Sequence, residues 1–392
     1  MSNFTETTRV SFGARIKNAI KGIGLGIAFI GISVSGIFWN EGNSVRTARA
    51  LTEGAGAVVP LKDLTPQAEN EGALVHINGA LVLDGLLQDG ALGIEGGPQT
   101  VRLERKVEQF AWIEEKRTRS ENNTGGSQDR TTEYTYRMDW TDSPKSGAEF
   151  RVSEGHINPP ALIRSDVFYH DQGKIGDFVI TEGVGNLGAS EPVILSQDQA
   201  KTIGAALGLD RDMRLTAGVV QTSEAIEAPQ LGDLRISYFV SDIDAASVVG
   251  VQHEGTLIPY VAENGRNVFL IEDGLKPASA MFETAQDANR FQTWALRALL
   301  IVVMFLGFKA LLSILDVVAS FIPFLGWLTS SVTSLVSLAL TFVVGGGSIA
   351  VAWVSVRPML SAGIVGVVLV GAIASVVMAR RKVQSAQAEQ TV

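Results

Sequence analysis

The sequence predicts an α+β membrane protein: four transmembrane helices and a large β-rich extracytoplasmic domain. Three observations lead there. Apolar runs long enough to cross a bilayer stand near the amino terminus and three times in the last hundred residues, all uncharged except the second, which Arg297 and Lys309 interrupt. Charge is segregated, with 21 basic and 38 acidic side chains between residues 40 and 289, against 11 and 3 outside. Both chain ends are basic, so the positive-inside tendency places both in the cytoplasm, which demands an even number of spans.

The elements follow in order. Residues 1–21 form a cytoplasmic basic terminus in which Phe12, Ile16, Ile20 and Ile23 share one helical face, the pattern of a helix lying at a membrane surface. Residues 22–39 are the first span; eighteen helical residues reach about 27 Å. Its end at Trp39-Asn40-Glu41-Gly42 raises the alternative of a cleaved signal peptide. No small-x-small site follows the run directly, and Trp39 sits where an interfacial anchor belongs, so an uncleaved anchor is expected. Residues 40–290 make the extracytoplasmic domain. Residues 295–315, 328–356 and 359–379 are the closing spans, and 380–392 a cytoplasmic tail. Asp316–Trp327, with Pro323 and Gly326, reads as a short interfacial turn, and Arg357-Pro358 as the turn between the last two helices.

Within the domain, 73–83 reads as a strand with a bulge at Gly79. Val101–Lys116 and Tyr134–Trp140 read as a hairpin around a polar loop from Arg119 to Arg130. Tyr134, Tyr136, Met138 and Trp140 recur at period two, so one strand face is aromatic and the other polar. Trp112 is placed to pack on that aromatic face. Ser196 with Gln199 three residues on is a capping box for a helix through Leu207. Segments 233–241, 250–261 and 268–271 continue a meander. From Pro277 a helical pattern runs unbroken into the second span.

Chemistry is sparse. The chain has no cysteine, which excludes disulfides and thiolate chemistry. Its acidic body disfavours nucleic acid as a partner. The four histidines form no metal-binding pattern, and no nucleophile elbow occurs, so no catalytic, cofactor or metal residues are assigned. Glu154, His156 and Asn158 are the most suggestive polar group, although a proline-stiffened turn explains them as well. Glu114, Glu115, Asp139 and Asp142 lie across the hairpin, as a carboxylate cluster or, more simply, as solvated strand charges. Lys309 and Asp316 share a face, but about 10 Å of rise between them argues against direct pairing. Lys309 and Arg357 are candidates for lipid headgroups. Gly345, Gly346 and Gly347 are candidates for close helix packing.

Seven segments together resemble the transmembrane protein 43 family, also called LUMA: FWNEGNSVRTA (38–48), VEQFAWIEE (107–115), YTYRMDW (134–140), GHINPP (155–160), GDLRISY (232–238), TWALRALLIVVMFLGFKALLSIL (293–315) and WVSVRP (353–358). The resemblance runs from about residue 10 to 380. It implies one anchor, a large lumenal domain and three closing spans. It also implies scaffolds of the endoplasmic reticulum and inner nuclear membrane that self-associate and bind lamins and emerin. The Ala/Gly-rich, Cys-free composition favours a bacterial source, and bacteria have no lamina, so of these only self-association carries over. The resemblance supplies no active-site residues.

The expected function is a non-enzymatic, homo-oligomeric scaffold of a bacterial inner membrane (or of the endoplasmic reticulum or inner nuclear membrane, if eukaryotic). Its role is in membrane organisation or stress, with itself and membrane lipids as partners and no partner protein identified. The alternative is a lipid-binding or lipid-processing protein with a chamber among its helices.

Overall fold

A computed structural model describes residues 2–123, 125–209, 213–320, 323–354, 363, 366–367, 369–378 and 380. They divide into two compact units. One comprises residues 1–4, 49–116 and 134–286, the other 5–48, 117–133 and 287–392.

Two sheets organise the first unit. In the smaller, five strands close on themselves as a barrel: Leu74–Val82, Ala245–His253, Thr256–Ile258, Phe178–Ile180 and Gly173–Ile175. The closing ladders run antiparallel from Ala245↔Ala80 to Val251↔Leu74 and at Leu81↔Ile175. Alternation sends Val75, Ile77, Val248 and Ile175 inward with Phe178, Ile180 and Leu257. Leu74 and Val249, on the other face, pack with Ala50, Leu51, Met281 and Phe282 from two helices. Gly79 is no bulge: the register passes through it without interruption, and a Cβ there would lie 3.0 Å from Ile175 and Leu64.

The larger sheet is built on Thr100–Asn122 and Gln128–Thr141, with Leu234–Asp242 along the first of these. Thr100–Asn122 is buried at every second residue as far as Ala111, and this face covers the helix α2 (Gln197–Ala206) through Leu103, Val107, Ala200 and Ile203. Ser196 and Gln199 cap α2 reciprocally, as the sequence predicts. The hairpin is longer than expected. Its strands run on through Arg117–Asn122 and from Gln128, because threonines alternating with charges suit a two-sided polar ribbon as well as they suit a loop.

Residues 2–10 form a strand, not an extension of the surface helix, and it pairs with Gln128–Thr141. In the second unit Thr7 meets Thr131 at 3.2 Å, and the Arg15 Nη1 donates to the Gly126 carbonyl at 2.6 Å.

Three helices among the described residues are long and apolar enough to cross a membrane: α1 (Phe12–Ala57), α3 (Ala278–Ala319) and α4 (Pro323–Val354, apolar over Ser331–Val354). The helix α1 does not stop at Trp39. Asn40 and Glu41 are buried against α3, so their polarity is satisfied without leaving the helix. The interfacial turn expected over 316–327 is shorter, since α3 continues to Ala319 and α4 starts with Pro323 as its first residue. Of the fourth span, expected at 359–379, an apolar helix Leu369–Met378 is described; residues 355–362 and the tail from 381 lie outside the described residues.

Candidate functional site

The helix bundle is assembled by close backbone approach and then locked by polar bonds at two levels. At the crossing of α1 and α3, a Cβ on Gly26 would lie 2.6 Å from the Gly307 carbonyl oxygen. Only glycine permits that approach. Ile37, Leu300, Met304 and Phe308 fill the interior, and a Cβ on Gly345 would come within 2.5 Å of Ile301. Gly345 and Gly346 are buried, while Gly347 is half-buried with nothing near its Cα direction. The triplet thus packs α4 against α3 of the same chain through Gly345.

The first lock surrounds Glu41. Its carboxylate takes two bonds from Arg297, Nε–Oε1 at 2.5 Å and Nη2–Oε2 at 2.6 Å, and a third from the Trp353 indole N–H. The Arg297 guanidinium lies 4.5 Å from the Trp294 ring and 5.0 Å from that of Trp353. Both charges are about 95% buried, and the fork geometry satisfies them together. Asn40 donates to the Thr293 carbonyl, Thr293 meets Ser44 at 2.8 Å, and Asn289 donates to the Ser44 carbonyl. Residues 245 to 312 positions apart thus bind α1, α3 and α4 at one level. Hydropathy hides this site, since Glu41 reads as lying just past the first span and Arg297 as an interruption near the start of the second.

The second lock contains Lys309. Its ammonium reaches Ser334 at 2.7 Å, Thr333 at 3.2 Å and Asp316 at 3.5 Å, and Thr333 donates to Asp316 at 2.7 Å. The expectation that Lys309 and Asp316 are too far apart is therefore incorrect. The rise separates the Cα atoms, but the lysine stem spans much of it, and α4 supplies hydroxyls that draw both side chains inward. As a headgroup candidate Lys309 is already engaged with three side chains. Arg357 lies outside the described residues.

In the β-rich unit, His156 is buried, stacked on Tyr136 at 4.2 Å and edge-on to Trp112 at 4.7 Å, with Nδ1 3.0 Å from the Val152 carbonyl. Trp112 therefore joins the aromatic face by way of His156. Asn158 caps the strand edge, accepting from the Trp112 N–H at 2.7 Å and donating to the carbonyls of Trp112 and Lys145. Glu154 is exposed on the turn. The structure therefore brings His156 and Asn158 to one strand edge, and Glu154 remains in solvent. Tyr136 donates to Glu114 at 2.8 Å, and burial followed by that carboxylate pushes its phenol above the usual range. Arg137 bridges Glu115 and Asp139, and its hydrogen bond holds Asp139 below the ordinary carboxylate value. Of the hairpin carboxylates, Glu115 and Asp139 thus share Arg137, while Glu114 is taken by Tyr136.

A further buried centre went unseen in the sequence. Asp89 accepts from Arg105 and, at 2.5 Å, from the Tyr238 hydroxyl, and all three are at least 95% buried. Burial first, then Asp89, raises the Tyr238 phenol.

Comparison with known proteins gives a consistent picture. A family model described as Transmembrane protein 43 matches residues 109–358. The mouse (Mus musculus) protein named Transmembrane protein 43 is 29% identical over 405 residues, covering 98% of this chain and 96% of its own length. The human (Homo sapiens) protein of that name is 28% identical, covering 98% and 95%. A Drosophila melanogaster homologue is 27% identical over 83% of this chain and 86% of its own. No solved structure matches the chain.

Proposed function

The chain belongs to the transmembrane protein 43 family and is an integral membrane protein, and from that premise we propose that it is a non-enzymatic scaffold assembled from several copies of itself. The carrying observation is on α1. Gly24, Ala28, Gly31 and Ser35 are exposed on one stripe at spacings of four, three and four. Among the described residues nothing lies within 4 Å of a Cβ at Gly24 or Gly31. The inward glycines of the bundle, Gly26, Gly36, Gly307 and Gly345, are in contrast consumed by contacts inside one chain. Small residues at this spacing let a second helix approach closely in lipid. The α1 stripe thus replaces Gly345–Gly347 as the surface offered to another copy. In this reading the locks at Glu41 and Lys309 keep each bundle rigid enough to act as a building block.

Crosslinking and native mass measurement of detergent-extracted protein test the proposal. An oligomer that falls to monomer in Gly24→Ile/Gly31→Ile supports it. A wild-type monomer at every concentration overturns it.

The expected setting is a bacterial inner membrane with both termini cytoplasmic, or the endoplasmic reticulum or inner nuclear membrane in a eukaryote. The partners are further copies and membrane lipids, in membrane organisation or stress. The second reading, lipid handling through a chamber with Lys309 and Arg357 at headgroups, draws less support, because Lys309 is committed to Asp316, Thr333 and Ser334.

A further inference from the structure

A cleft of about 620 Å³ opens in the β-rich unit, on the flank of the long strand. Val107 and Gln109 form its floor, and the segments 142–146 and 158–165 its walls. The walls are pinned together: a Cβ on Gly147 would lie 2.5 Å from the His156 carbonyl oxygen. Ser165 and Asn158 cap the strand edge at Val107 and Trp112, so the floor is fixed as well.

Two features of this cleft are unspent. Gln109 is 98% buried and donates through Nε2 to the Pro159 carbonyl at 3.0 Å, yet its Oε1 is a buried acceptor with no donor. Leaving such an atom unpaired carries a desolvation cost that a donor from a ligand would relieve. On the walls, Lys145 and Arg164 are exposed cations that form no ion pair among the described residues. Among the described residues Arg164 is held through its carbonyl, which accepts from Arg105. Asp142 adds a carboxylate to the same wall segment.

We propose that this cleft binds a small phosphate ester whose other end carries hydroxyl or ammonium donors. Lys145 and Arg164 hold the phosphate, as a point charge and a bidentate fork respectively. Gln109 Oε1 and Asp142 receive the donors. Ile163 supplies apolar surface on the wall. A free sugar or polyol phosphate has this chemistry, and so has a phospholipid headgroup such as phosphoglycerol. The inference does not depend on self-association.

The test uses full-length protein in phosphatidylcholine nanodiscs, titrated calorimetrically with glycerol 3-phosphate and, separately, with methyl phosphate, which lacks the polyol. Saturable binding of glycerol 3-phosphate is expected, weakened at least ten-fold in Lys145→Ala/Arg164→Ala. In Gln109→Met the preference for glycerol 3-phosphate over methyl phosphate should disappear. Loss of that signal when phosphatidylglycerol is added to the disc identifies a lipid headgroup as the source; retention identifies a soluble ester. The double variant changes only exposed side chains and keeps the test decisive should Gln109→Met fail to fold. Absence of saturable binding by either probe overturns the proposal, as does equal affinity in the double variant.

Discussion

Glu41 and Arg297 sit where hydropathy would place only boundaries, yet each is nearly closed off from solvent and faces the other. A buried pair of this kind stabilises weakly against an apolar pair but costs about 3–5 kcal/mol when one member is removed, since the other charge stays behind. Glu41→Ala should therefore destabilise the bundle by that amount in a denaturant titration of detergent-solubilised protein. Glu41→Leu/Arg297→Leu should recover most of the loss. A loss in the double variant equal to the sum of the losses in Glu41→Leu and Arg297→Leu would show that the charges are not coupled. Tyr238 gives a second residue-scale expectation, this time in pH. Its phenol is raised above the ordinary value of 10.0 by burial and by Asp89. Above that pH the unfolded chain loses the proton while the folded chain keeps it, so stability present below pH 10.0 falls as pH rises. Unfolding free energy measured from pH 8 to 11 should decline, and Tyr238→Phe should flatten the decline.

Elements differ in how much of them the sequence reveals. The capping box of α2, the inward alternation of Thr100–Asn122 and the apolar runs of α1, α3 and α4 are local patterns and are legible directly. The passage of α1 through Asn40-Glu41-Gly42 is not, because its partners Thr293, Arg297 and Trp353 lie some 250 to 310 positions away. Barrel closure is hidden for the same reason, being set by a pairing between Leu74–Val82 and Ala245–His253. The residues of the candidate sites follow this division. The quoted motifs mark Glu41, Arg297, Trp353, Gln109 and His156, but nothing local says that they converge. Glycine shows the difference within one helix. Gly24 and Gly26 are indistinguishable in composition, but Gly26 is in backbone contact with α3 and Gly24 faces outward. Gly26→Val should force α1 from α3 and lower the melting temperature of the detergent-solubilised protein by several degrees. Gly24→Val should leave it within about a degree while weakening association.

For the whole molecule, charge and pairing together bear on which face of the membrane holds each segment. The positive-inside tendency puts residues 1–21 in the cytoplasm and 40–290 beyond the bilayer. The second unit nevertheless joins the amino-terminal strand to hairpin segment 117–133: Arg9 pairs with Asp129 at 3.7 Å, and Arg15 binds both the Gly126 carbonyl and Ser320. That hairpin segment carries Arg117, Arg119, Glu121, Asp129, Arg130 and Glu133, so lipid cannot surround it. A strand that bonds to the amino terminus must share its aqueous compartment or be shielded by protein all the way to it. The chain's lack of cysteine makes this measurable, because one introduced thiol is the sole target. Thr8 and Ser120 are both exposed. In sealed vesicles, Thr8→Cys and Ser120→Cys should react with a membrane-impermeant maleimide from the same side. Reaction of both from the cytoplasmic side would mean that the hairpin passes along the bundle to the cytoplasm. Reaction of both from the opposite side would reverse the placement of the amino terminus drawn from charge. Labelling from opposite sides would break the pairing of Ser2–Val10 with the hairpin.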